Sequence, residues 1–182
     1  MTELSAAIPF SELASARSGF PLTEAQRGVV DQVFERVRAG EPADFLLDFM
    51  VARLKEHFPS YAWVGVYQVE GDMLVLGPFR GPESPHHRIR IGSEGICGWV
   101  AGNGLPQVIP DVNADPRYLM CSAAIRSEIV VPIAHGGRVL GVIDIDSEIA
   151  AAFYQEDLDL LTSLAALVGP ALATAPDRKE HA

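Results

Sequence analysis

At 182 residues the chain is long enough for a single domain that closes its own hydrophobic core without crosslinks. Its 48% hydrophobic and 21% charged residues place it with globular rather than disordered chains, and its net charge of −10 opposes a phosphate backbone, so no nucleic-acid partner is expected. No apolar run approaches the roughly 20 residues that span a bilayer, and the N-terminus has neither a basic start nor a continuous apolar stretch. A cytoplasmic protein without a membrane partner is therefore expected.

Residues 1–20 are rich in Ala, Ser and Gly and are read as a weakly ordered arm. Thr23, Glu24 and Gln26 mark a helix entry, Val29, Val30, Val33, Phe34 and Val37 recur at helical spacing, and Gly40 stops the run. A second helix is expected over Ala43 to His57, with Phe45, Leu46, Phe49, Met50 and Leu54 on one face. The character then changes. AWVGVYQV and MLVLGPF, separated by EGD, predict a β-hairpin with Trp63, Gly65 and Tyr67 on one face of its first strand and Val64, Val66 and Gln68 on the other. GPESPHH is a loop, RIRI a short strand, GICGWVAGN a short helix and PQVIPDV an extended segment. SEIVVPIAHGGRVLGVIDIDS predicts a second hairpin across His135, Gly136 and Gly137. A last helix from Tyr154 to Ala171 should be kinked or ended by Gly169 and Pro170, and residues 176–182 form a disordered tail. Strands joined by hairpins, with helices gathered at the chain ends, predict an α+β fold: a central antiparallel sheet with helices packed mainly on one face.

The chemistry concentrates between Gly95 and Asp146. The two cysteines of the chain, Cys97 and Cys121, lie there with Glu128, Asp144 and Asp146. Two cysteines are too few for a disulfide scaffold, and their spacing excludes a CxxC motif. A cysteine in an apolar stretch is commonly a small core residue, Asp144 and Asp146 alternate as the solvated face of a strand would, and Trp63 and Tyr67 suit a core as well as a ligand cage. If the two aspartates are confined together, one of them should have a raised pKa and act as a proton donor. Arg117 and Arg126 are the nearest sequence candidates for activating Cys121. His86 and His87 are adjacent and point apart, which makes a poor metal pair, so no metal is expected. GSEGICG lacks the ending of a phosphate-cradling loop.

The succession WVGVY, LVLGPFRG, RIRIGSEGICGWVA, VIPDV, SEIVVPI and GRVLGVIDIDS resembles a GAF domain, and more closely the free methionine-(R)-sulfoxide reductase branch of that superfamily. The resemblance covers about Ala43 to Ala171 and implies a single GAF domain over residues 21–175. It implies that Cys121 attacks the sulfoxide and Cys97 resolves the resulting sulfenic acid as a disulfide. It further implies that Glu128, Asp144 and Asp146 hold the substrate ammonium and assist at the sulfoxide oxygen, and that Trp63 and Tyr67 enclose the methyl sulfoxide. A thioredoxin-like reductant, no cofactor and a homodimer built on the helical prologue belong to the same expectation. One departure stands out: many relatives carry a further cysteine in the loop before RIRIG, where this chain has GPESPHH. The alternative reading is a non-catalytic GAF domain that binds a small molecule as a sensor.

Overall fold

The computed structural model of the protein describes residues 22–175, so the arm expected over 1–20 and the tail expected over 176–182 lie outside the described residues. Helix α1 (Glu24–Arg38) begins at a capping box: the Thr23 hydroxyl accepts from the Gln26 N–H at 3.3 Å, and Gln26 Oε1 accepts from the Thr23 N–H at 2.9 Å. Helix α2 (Ala43–His57) follows Pro42 and buries Leu46, Leu47, Met50, Val51 and Leu54. The expected apolar stripe is thus rotated, because Phe45 is 41% exposed and stacks on Phe49 at the surface with ring centroids 5.9 Å apart. The Arg36 and Arg53 guanidinium groups lie 5.3 and 5.5 Å from the Phe49 ring centroid, and these cation–π contacts cover the ring where it packs on the edge of the core.

Strands β1 (Trp63–Glu70) and β2 (Met73–Arg80) form the first hairpin, followed by β3 (Arg88–Arg90), helix α3 (Gly95–Asn103) and β4 (Gln107–Ile109). A 3₁₀ turn at Val112–Ala114 leads to the second hairpin, β5 (Ser127–His135) and β6 (Arg138–Ser147), and helix α4 (Gln155–Thr174) closes the described chain. The six strands pair antiparallel in the order β3-β2-β1-β6-β5-β4, which makes the two hairpins neighbours through β1 and β6.

The period-two alternation of the strands divides the interior in two. Val64 and Val66 of β1, Ile129, Val131 and Ile133 of β5, and Ile143 and Ile145 of β6 face α1, α2 and α4 in the larger core. Trp63, Tyr67, Val130 and Val142 point to the opposite face, where α3 supplies Ile96, Cys97 and Val100. Helix α3 can lie that close because Gly98 has no side chain: a Cβ there would come within 2.4 Å of the Arg90 carbonyl oxygen on β3. Three helices on one face and a short one on the other is the α+β arrangement expected from the element order.

Helix α4 departs from expectation by running through Gly169 and Pro170 to Thr174. Pro170 removes the hydrogen bond to the Ala166 carbonyl, but both residues are exposed, so water can satisfy that carbonyl. Leu160, Leu161, Leu164, Leu167 and Val168 stay buried before the break, and the partly buried Ala171 and Leu172 pack against the same core after it. At 20 residues α4 is long and apolar enough to span a bilayer by length and composition, contrary to the expectation that nothing approaches that length. Its apolar stripe is instead buried in the larger core.

Candidate active site

Strand register assembles the site. On the face covered by α3, Glu128 of β5 lies opposite Asp146 of β6, and Asp146 lies opposite Trp63 of β1. One step along the same face, Asp144 lies between Val130 and Gly65. Three carboxyl groups on two adjacent strands therefore share one patch, with Cys97 above them on the first turn of α3. Cys121 reaches the same space from the loop between the 3₁₀ turn and β5, where its thiol donates to the Leu119 carbonyl at 3.5 Å. Tyr67, His86, Cys97, Cys121, Glu128, Asp144 and Asp146 all border one cavity. Its volume is only about 20 Å³, which is room for a single small occupant.

These groups are buried with little compensating charge, Arg117 acting on Glu128 alone and by less than burial and the neighbouring acids. Glu128, Asp144 and Asp146 are 5%, 6% and 3% exposed, and among the described residues neither Lys nor Arg lines the cavity. Burial raises the Asp144 carboxyl to about 7. Glu128 and Asp146 move in the same direction, driven by burial and then by Asp144. The expectation of one raised aspartate is met, and the effect extends to all three acids. Burial followed by the field of Asp144 also pushes both thiols up, and a Ser84 hydrogen bond opposes this at Cys121. At rest both cysteines are thiols, not thiolates.

The Arg117 and Arg126 expectation for activating Cys121 fails. Arg117 bonds Asp115 at 2.6 and 3.0 Å and Gln107 at 3.1 Å, with its guanidinium 5.0 Å from the Trp99 centroid, and Arg126 is exposed. Trp63 sits beside the cavity instead of lining it. Its indole lies over Gly65, where a Cβ would come within 2.1 Å of the ring, and its Nε1–H donates to the Pro82 carbonyl at 3.1 Å. It stacks on Phe79 at 5.8 Å and backs Tyr67 at 6.3 Å.

A family model described as "GAF domain" matches residues 41–173. The free methionine-R-sulfoxide reductase of Escherichia coli is 38% identical over 148 residues, covering 80% of this chain and 88% of that one. The chain belongs to the GAF-domain free methionine-R-sulfoxide reductase family. The protein YtsP of Bacillus subtilis is 42% identical over 124 residues, 67% of this chain and 75% of its own. Among solved structures, the free methionine-R-sulfoxide reductase of Neisseria meningitidis in complex with its substrate superposes with a TM-score of 0.76 at 35% identity, covering 95% of each chain.

For a chain of this reductase family, the loop that lacks the further cysteine is built in its own way. Ser84 is 4% exposed, and its Oγ accepts from the His86 N–H at 3.1 Å. The Tyr67 hydroxyl donates to the His86 carbonyl at 2.9 Å, and His86 Nε2 donates to the Met120 carbonyl at 3.2 Å. His86 thus clasps the loop after β2 to the loop that carries Cys121. His87 points away to Glu83 at 3.4 Å. Sequence reasoning missed Ser84 and Tyr118. Ser84 carried no motif, and Tyr118 stood in a loop without periodicity.

Tyr118 lines the cavity, and apart from an approach by the Cys121 backbone its buried hydroxyl has no hydrogen-bond partner among the described residues. Such a group costs about 1–3 kcal/mol unless something binds it. Tyr118→Phe should therefore leave the substrate-free protein as stable or about 1 kcal/mol more stable in urea unfolding, while lowering kcat/KM roughly 10-fold. A loss of stability with unchanged kinetics would remove Tyr118 from the site.

Proposed function

We propose that the protein reduces free methionine-R-sulfoxide to methionine with Cys121 as nucleophile. The observation that carries this reading is the convergence of two thiols and three buried carboxyl groups on one cavity. A free amino acid brings an ammonium group, and Glu128, Asp144 and Asp146 form a buried seat for a cation that no basic side chain of the cavity wall supplies. Tyr67, backed by Trp63, offers an aromatic wall for the methyl sulfoxide.

The ammonium also activates the nucleophile. Cys121 is held protonated partly by the acids, so a cation seated among them offsets that field and favours the thiolate. Cys121 Sγ then attacks the sulfoxide sulfur, and an acid with a raised pKa protonates the oxygen. The S–O bond breaks as the protonated oxygen leaves as water. A water then adds to Cys121 Sγ as the new Sγ–S bond breaks, and methionine leaves reduced by two electrons with Cys121 oxidised to the sulfenic acid. The Cys97 thiol displaces hydroxide from that sulfur to form a disulfide and water, taking the place of the cysteine absent from the loop at His86. A thioredoxin-type dithiol restores both thiols. A cytoplasmic location and a homodimer belong to the same reading.

The test is NADPH consumption with thioredoxin, thioredoxin reductase and each isomer of free methionine sulfoxide. The R isomer is expected to turn over, and N-acetylmethionine sulfoxide, which lacks the ammonium, is expected to be refused. Equal turnover of the acetylated compound would overturn the role of the carboxylates, and turnover no faster than Cys121→Ser would overturn the activity.

A further inference from the structure

We infer that the reduced protein binds one zinc ion in this cavity through Cys97, Glu128 and Asp144, and that zinc competes there with the amino-acid substrate. The competition rests on the reductase reading, but the binding does not. Cys97 Sγ and one carboxylate oxygen each from Glu128 and Asp144 lie within 4.8 Å of one another. Tetrahedral zinc bonds of about 2.0–2.3 Å set neighbouring ligand atoms roughly 3.3–3.8 Å apart, so side-chain rotation of an ångström or so completes the site. The three ligands stand on α3, β5 and β6, regular elements that fix their directions better than loops do.

Two further observations point to a cation. Asp144 Oδ1 is buried without a hydrogen-bond partner among the described residues, on a residue only 6% exposed whose carboxyl group otherwise meets the Cys97 thiol. The space of about 20 Å³ fits one ion and is far too small for an amino acid in the same conformation. A thiolate with two carboxylates is a mixed set that suits zinc and gives no advantage to magnesium or calcium, which take oxygen ligands. Cys121 borders the same space, but its sulfur falls outside this group of three, so the fourth position is left to solvent. The sequence gives no hint of the set, because the three ligands include no histidine and come from three separate elements. Only the adjacent pair His86–His87 had the composition of a zinc motif, and those side chains diverge to Met120 and Glu83.

Bound zinc would occupy the ammonium seat and hold Cys97 out of disulfide formation, so zinc and substrate should exclude each other. The experiment titrates zinc, against a chromophoric chelator, into protein reduced with a phosphine that does not itself hold the metal. Cobalt(II) serves as a spectroscopic probe. One equivalent of zinc should bind, magnesium should not displace it, and cobalt should show a thiolate charge-transfer band. Cys97→Ser should abolish the band and weaken zinc binding by at least roughly 100-fold, the upper range for losing even a supporting contact. Glu128→Gln, with its fold checked by circular dichroism, should weaken zinc binding while keeping the band. Absence of stoichiometric binding, or binding unchanged in Cys97→Ser, overturns the site. In turnover, zinc should raise the apparent KM for methionine-R-sulfoxide without changing kcat, and a fall in kcat alone overturns the competition. A protein that binds zinc yet turns over nothing in zinc-free buffer refutes the reductase reading and leaves the metal site standing.

Discussion

Cys121→Ser should lower kcat/KM for methionine-R-sulfoxide by at least on the order of 10³-fold, the scale seen when a covalent nucleophile is removed. Cys97→Ser should behave differently. It keeps attack and loses resolution, so it should release one methionine per protein in a single turnover and then stall, with Cys121 trapped as a sulfenic acid that a dimedone reagent labels. An added small dithiol should restart it. The asymmetry follows from position. Cys121 is half-buried on a loop at the edge of the cavity, whereas Cys97 is 4% exposed on the first turn of α3 against the acids. On the reading proposed above, the incoming sulfoxide meets Cys121 first. Mass spectrometry of both variants after one equivalent of substrate decides the assignment. A burst from Cys121→Ser, with none from Cys97→Ser, would exchange the two roles.

The second large effect is on stability. Burial raises the folded-state pKa of Asp144 to about 7 from its ordinary 3.8. In that window the folded protein binds a proton that the unfolded chain has released, so stability is greatest below about pH 3.8 and is lost as pH rises through 7. Glu128 and Asp146 shift upward too and extend the loss in the same direction. Asp144→Asn removes the group and its penalty. At pH 8 it should melt on the order of 10 °C above the unsubstituted protein, reflecting about 2–4 kcal/mol, and at pH 4 the difference should nearly vanish. The same variant should lose most substrate binding, because it neutralises part of the ammonium seat. Parallel melting curves across the range would show that Asp144 is not held in a desolvated site.

Most of the scaffold was legible because it is written in short-range patterns. Thr23 with Gln26 announced α1, the alternation through Trp63–Tyr67 announced the two faces of β1, and the spacing of Asp144 and Asp146 placed both on one face of β6. What failed did so where tertiary packing overrides local preference. Gly169–Pro170 ends a helix in isolation but not one pinned by Leu167 and Val168. Phe45 counts as apolar in any pattern, yet it rests on Phe49 at the surface under nearby guanidinium groups. In the site, the carboxylates and cysteines were recognisable as residue types, but their partners were not. Arg117 stands four residues from Cys121 and turns to Asp115, while Ser84, 37 residues away, supplies the hydrogen bond that opposes the raised thiol pKa. Contacts made by loops across the sheet leave no periodic trace.

The clasp between His86 and Met120 over a cavity the size of one atom makes latency a property of the fold. Hydrogen peroxide oxidises thiolates far faster than thiols. A protein that kept Cys121 ionised and open would be consumed by the oxidants that generate its substrate. Here burial keeps both thiols protonated, and on the reading proposed above the cation that unmasks Cys121 arrives on the substrate itself. Reactivity is thus gated by the identity of the visitor, and an uncharged oxidant carries no key.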